Sequence, residues 1–145
     1  MATLGRAIAI ASEAFQNVTD RGGQPYILHC LHVMNQMPEH DHDLRCIAVL
    51  HDLVEDSPNW NFERLYRENF SDRVINGVKL LTHDDSVSYD DYIEAISVSY
   101  DATRVKLADL RHNSDITRIK GVRQKDLDRI AKYHRCYMRL RDIRF

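Results

Sequence analysis

Segment 44–56 of this 145-residue chain, L-R-C-I-A-V-L-H-D-L-V-E-D, limits what the rest can fold into. Its apolar residues cover nearly three sides of a helix, and such a helix belongs in the middle of a domain. Yet it delivers His51-Asp52 and then, one turn later, Glu55-Asp56. Residues three and four apart share a helix face. The spacing therefore predicts one short helix that presents His51, Asp52 and Glu55 in a single direction. Carboxylates beside Val49, Leu50, Leu53 and Val54 are costly to bury unless a cation or a metal ion pairs with them. The plainer alternative is an amphipathic helix whose acidic end is solvated, with Asp56-Ser57-Pro58 as its terminal turn.

Elsewhere apolar residues recur at helical spacing. Leu4, Ala7, Ile8, Ala11, Ala14, Phe15 and Val18 predict a first helix over 3–20, stopped by R-G-G-Q-P at 21–25. Pro25 suits the first turn of a second helix over 26–37. That helix offers Ile27, Leu28, Leu31 and Met34 to a core and also carries His29 and His32. Asn61 and Ser71 are placed to cap helices over 61–69 and 72–81. Ser88 with Asp91 resembles a capping box that opens a helix over 88–96. Further helices are predicted over 100–113 and, after Gly121, over 126–142. Strand-type alternation is limited to hints at 87–92 and 98–100. The reading is an all-α bundle of about seven or eight helices in a single domain spanning 1–145, long enough to bury a proper core.

Charge and cysteine usage narrow the partners. The chain carries a net −2, but from Arg118 to Phe145 ten Lys and Arg face three Asp, so that end holds +7 and the remainder −9. The basic 126–142 helix keeps Tyr133 and Tyr137 on its apolar side. It lacks the exposed aromatics that a single-strand nucleic-acid binder interleaves with its cations, and it reads as a solvated face. Cys30, Cys46 and Cys136 are far apart and odd in number, which suits a reducing compartment without a disulfide framework. No apolar run approaches a membrane span and the N-terminus does not read as a leader. A soluble, cytoplasmic protein with neither nucleic acid nor membrane as partner is expected.

Three separated helices offer metal-type ligands: His29, then His51-Asp52, then Asp109. Two imidazoles and two carboxylates suit an ion of the Mn²⁺, Fe²⁺ or Mg²⁺ type with open water positions better than a closed structural zinc site. A divalent ion there lowers the pKa of a bound water and polarises a phosphoryl oxygen. Glu55 and Asp56, just past the ligands, are placed to orient that water or take its proton. Asn113, one turn beyond Asp109, is placed to donate to a substrate. Among the other histidines, His40, His42, His83 and His134 read as surface residues, with His40 and His42 able to pick up stray metal. His32 reads as a support or core residue, and His112, beside Asn113, as a position within reach of a phosphate.

Three blocks carry a family resemblance: G-Q-P-Y-I-L-H at 23–29, H-D-L-V-E-D at 51–56 and V-K-L-A-D-L-R-H-N at 105–113, with a weaker V-K-L-L-T at 78–82. In this order they resemble the HD-domain metal-dependent phosphohydrolases, and most closely the hydrolase domain of the RelA/SpoT family and its small stand-alone members. The resemblance covers about 4–113. It implies an HD-type helical domain that removes the 3′-pyrophosphate of guanosine tetra- and pentaphosphate with Mn²⁺. It also implies His29, His51, Asp52 and Asp109 as metal ligands, and Glu55 with Asp56 as the acidic pair acting on the attacking water. Arg21 matches a basic position near the base, Asn113 a position near ribose and phosphate, and Tyr26 and Thr82 pocket walls.

The chain departs from the family pattern at several places. Asp20-Arg21 stands where many members have two basic residues. Phe15 replaces a histidine, Cys30 replaces the proline after the first metal histidine, and Ser114-Asp115-Ile116 replaces Met-Arg-Thr. The metal set is untouched. The expected function is hydrolysis of the 3′-pyrophosphate of a guanosine alarmone or a close purine analogue, with a small-molecule nucleotide as partner. The alternatives are an HD-type nucleotidase acting on another nucleotide and a nucleotide-binding sensor without turnover.

Overall fold

The computed structural model describes all residues, Met1–Phe145. The chain runs α1 (Leu4–Ala14), α2 (Ile27–Asn35), α3 (His42–Leu50), α4 (Leu53–Asp56), α5 (Phe62–Arg67), α6 (Asp72–Leu81), α7 (Tyr89–Ser97), α8 (Tyr100–Asn113), a 3-10 turn (Ile116–Arg118) and α9 (Gln124–Arg141). Thr3, Asp41, Asn61, Ser71, Ser88 and Ser99 each accept a hydrogen bond from the N–H three residues on, so local side-chain chemistry sets six of these starts. There are no strands. The hints at 87–92 and 98–100 are helix entrances, and the nearest thing to a ladder is one isolated bridge between Thr19 and Pro25.

As the sequence predicts, α3 is central. Leu44 and Cys46 through Leu50 are buried, and α1, α2, α6 and α8 pack around it. The approach of α6 is close: a Cβ on Gly77 would lie 2.6 Å from Ile47 Cδ1. Gly77→Val is therefore expected to destabilise the fold by about 1–3 kcal/mol through overpacking. A urea midpoint that falls with an unchanged slope checks it, and an unshifted midpoint would contradict the close contact. Arg73 on α6 reaches Asp41 and Asp101 at 2.8–3.0 Å, tying the starts of α3, α6 and α8 together.

The predicted helix through 44–55 is not continuous. It ends at Leu50, and α4 begins at Leu53. The ring of His51 bonds the Ala48 carbonyl at 2.6 Å, occupying the acceptor that the Asp52 N–H would use in a continuing helix. The ninth helical segment arises from this break. Two other expectations are corrected. The first helix stops at Ala14, and 18–26 forms a hairpin-like loop held by Asp20 N–H to Gln24 O and Tyr26 N–H to Val18 O. Leu28 is 51% exposed, whereas its neighbours His29 and Cys30 turn inward with Val33 and Met34.

Candidate metal centre

The break at His51-Asp52 brings two consecutive side chains to one point. In a regular helix neighbours diverge by about 100°, but here His51 Nε2 lies 3.0 Å from Asp52 Oδ2. His29 arrives from α2 and Asp109 from α8. His29 Nε2 stands 3.0 Å from Asp109 Oδ1 and 3.7 Å from Asp52 Oδ2, and His51 Nε2 stands 3.3 Å from Asp109 Oδ1. All four donor atoms lie within 4.8 Å of one another.

Neighbours fix each donor. His51 Nδ1–H donates to the Ala48 carbonyl, leaving Nε2 free to face the carboxylates. His29 Nδ1 meets His112 Nδ1 at 2.8 Å. Tyr26 O–H donates a short hydrogen bond to Asp52 Oδ2. Asp109 accepts from Lys106 Nζ on Oδ2 and from Asn113 Nδ2 on Oδ1, both at 2.9 Å. Burial opposes ionisation of Asp109, yet Lys106 and His51 outweigh it and hold the carboxyl well below its ordinary range. Lys106 likewise stays charged despite burial because Asp109 faces it.

The donor set fits a divalent metal ion. Neighbouring ligands of an octahedral ion with bonds of about 2.1 Å stand about 3 Å apart, close to the spacings above. Both imidazoles have their remote nitrogens occupied, as metal-ligating histidines do.

A cleft of about 600 Å³ opens over Asp52 and Asp109. Of the residues singled out from the sequence, Arg21, Tyr26, Glu55, Asp56 and Asn113 line it. Thr82 does not. Its hydroxyl donates back to the Val78 carbonyl at 2.7 Å, and His83 takes the place on the wall instead. Glu55 Oε1 accepts from the His83 N–H at 2.7 Å, which orients that carboxylate. Burial, then Asp52 and Glu55, push Asp56 up to about 6. Burial also raises Glu55, against the His83 N–H.

Several cleft residues lie outside the motifs. Tyr89 and Tyr92 come from α7, and Arg118, Arg129 and Tyr133 come from the basic C-terminal part, while Lys106 of the third motif joins them from α8. Arg118 Nη2 lies 3.2 Å from Asp20 Oδ2, so a cation 98 positions along the chain pairs with this loop carboxylate. Asp20 Oδ1 also accepts from the N–H groups of Gly22 and Gln24. The two segments touch where only glycine fits: a Cβ on Gly22 would lie 2.2 Å from the Arg118 carbonyl oxygen. Gly22→Ala is expected to push this loop off the 3-10 turn, costing about 1–3 kcal/mol. Faster amide hydrogen exchange at 116–119 checks it. Unchanged exchange with unchanged stability would contradict the contact.

An all-helical bundle with an H…HD…D donor set at the floor of a polar cleft defines an HD-type domain. No family model matches the chain. It is 30% identical over 135 residues to the guanosine-3′,5′-bis(diphosphate) 3′-pyrophosphohydrolase of Aquifex aeolicus (strain VF5), which covers 88% of this chain and 19% of that protein. A rice (Oryza sativa subsp. japonica) chloroplastic protein named as the GTP diphosphokinase RSH1 is 39% identical over 64 residues, 43% of this chain and 7% of its own length. The chain thus spans less than a fifth of these relatives. Among solved structures, one described as a metazoan ortholog of SpoT that hydrolyzes ppGpp superposes with a TM-score of 0.78 at 22% identity, covering 96% of this chain and 85% of that one. That likeness establishes the shared fold. In sequence over 88% of its length, and in fold, the chain is similar to RelA/SpoT-type HD-domain proteins.

Proposed function

We propose that this protein is a Mn²⁺-dependent hydrolase that removes the 3′-pyrophosphate from guanosine tetra- or pentaphosphate or a close purine analogue. The observation that carries the reading is the convergence of His29, His51, Asp52 and Asp109 beneath a cleft that also holds Glu55 and Asp56. The named activity of the Aquifex relative supports the same substrate class. When bound, a divalent ion supplies Lewis acidity to water and to the phosphoryl oxygens, and the mixed nitrogen and oxygen donors suit Mn²⁺.

The chain's own residues do the rest. Water attacks the phosphorus attached to O3′ and the P–O3′ bond breaks. Glu55 or Asp56 takes the proton that water loses, and one returns to O3′ as pyrophosphate leaves. Asn113 and Arg21 hold the nucleotide, and Tyr26 holds Asp52 in place. Desolvation and the neighbouring carboxylates raise Asp56 in the ion-free protein, which suits it to accept a proton.

Because the base must be ionised, activity rises with pH through an acid limb at or below about pH 6, since an ion at the four donors pulls this carboxyl downward. A rate profile from pH 4.5 to 8 checks it, and a rate that climbs as pH falls through this range would exclude Asp56 as the base.

Asp20, a carboxylate set against Arg118 where many members have a cation, favours one further reading: a nucleotidase for a less highly charged nucleotide. Parallel incubation with guanosine tetraphosphate and guanosine monophosphate separates the two. Pyrophosphate from the first substrate supports the leading reading. Orthophosphate from the second, with no pyrophosphate from the first, would replace it with the nucleotidase.

A further inference from the structure

A second cavity of about 600 Å³ lies on the face of α8 opposite the cleft, between α8, the end of α2 and Tyr137 of α9. We propose that it binds a small phosphate-bearing anion and that His112 links this anion to the metal ligand His29. Arg104 and Arg111, two turns apart on α8, both line the cavity. Neither guanidinium has a carboxylate or hydrogen-bond partner within the protein, although Arg6, Arg73, Arg118, Arg129, Arg135 and Arg139 are all ion-paired. Arg104 has only the Tyr100 ring, 5.9 Å away. The carboxylate on the rim, Asp115, is turned to Thr117, whose N–H and hydroxyl it accepts at 3.0 and 2.6 Å.

A third donor follows from the metal centre. His29 must leave Nε2 unprotonated toward the ion, so its proton is on Nδ1 and is donated to His112 Nδ1. His112 then carries its own proton on Nε2, which has no protein partner. Its ring is nearly coplanar with that of His29, edge to edge as the Nδ1 contact requires, and one face stacks on His32 at 3.8 Å. Two unpaired guanidiniums and one fixed N–H on a single cavity are the donor chemistry of a phosphate site. An anion accepting from His112 Nε2–H strengthens Nδ1 as an acceptor, polarises His29 Nδ1–H and tightens the grip on the ion. The ion and the anion thus favour each other's binding reciprocally.

The inference is independent of the hydrolase reading, because binding is read without nucleotide and needs no turnover. Metal-free protein tests the two arginines, and the same protein with Mg²⁺ added tests the His112 donor, which requires an ion at His29 Nε2. Inorganic pyrophosphate is titrated in by calorimetry, with the histidine ring nitrogens followed by NMR. The expected result is one site per chain, a shift of the His112 Nε2 signal and tighter binding once Mg²⁺ is present, at least tenfold weaker binding in R104Q/R111Q, and unchanged binding in R21Q, which alters the cleft instead. Both substituted arginines are exposed, so the fold survives the change. Absence of saturable binding, binding that R21Q removes and R104Q/R111Q leaves intact, or an affinity that Mg²⁺ leaves unchanged would overturn the proposal.

Discussion

Asp109→Ala is expected to abolish both divalent-ion binding and turnover, and to destabilise the fold as well. One oxygen of Asp109 faces both histidines and Asn113, and the other holds the Lys106 ammonium at 2.9 Å. Loss of an outer partner of a metal site weakens binding about 10–100-fold, and loss of a ligand exceeds that. Lys106 is left with a buried charge and no carboxylate, a change that costs about 3–5 kcal/mol when one member of a buried pair is removed. The two consequences separate in a second variant. Asp109→Ala combined with Lys106→Met is expected to regain most of the stability and none of the ion binding. Calorimetric Mn²⁺ titration and urea unfolding of both proteins measure this. Ion binding that survives in either would remove Asp109 from the donor set.

The second large effect is expected at the acidic pair. Glu55→Gln with Asp56→Asn keeps the size of both side chains and leaves the four donors alone. Ion affinity should change by less than about threefold, while kcat falls by about 10²–10⁴, the range that general base catalysis supplies. The acid limb of the rate profile should vanish with the carboxylates. A double variant with kcat within about twofold of the parent would show that neither residue handles the proton.

Much of the donor set is legible in the chain because each ligand sits in a motif whose neighbours are themselves informative. The starts of the capped helices are legible for a different reason: a Ser, Thr, Asp or Asn side chain needs only its own next three residues to act. The break after Leu50 is not legible by period. The apolar pattern runs on unbroken, and the deciding event is a side chain taking a backbone carbonyl. Helical spacing places His51 and Glu55 on one face, whereas the structure instead brings His51 beside Asp52.

Leu28 illustrates the same limit, since the spacing of α2 is compatible with either Leu28 or Cys30 facing the core, and His29 turning toward α8 decides it. Arg118, His83 and His112 escape the sequence because their meaning comes from distant partners. Arg118 meets Asp20, the His83 backbone meets Glu55, and the His112 ring meets His29. For His112 the signal in the sequence is its place beside Asn113 in the 105–113 block, which does not reveal its contact with His29.

The most direct test is a single titration of metal-stripped protein with Mn²⁺ in the presence of guanosine tetraphosphate, counting bound ion and released pyrophosphate together. Pyrophosphate release that rises in step with occupancy and levels off at one ion per chain, with guanosine diphosphate formed in equal amount, is the predicted result. An ion bound at one per chain with no pyrophosphate released would contradict the account.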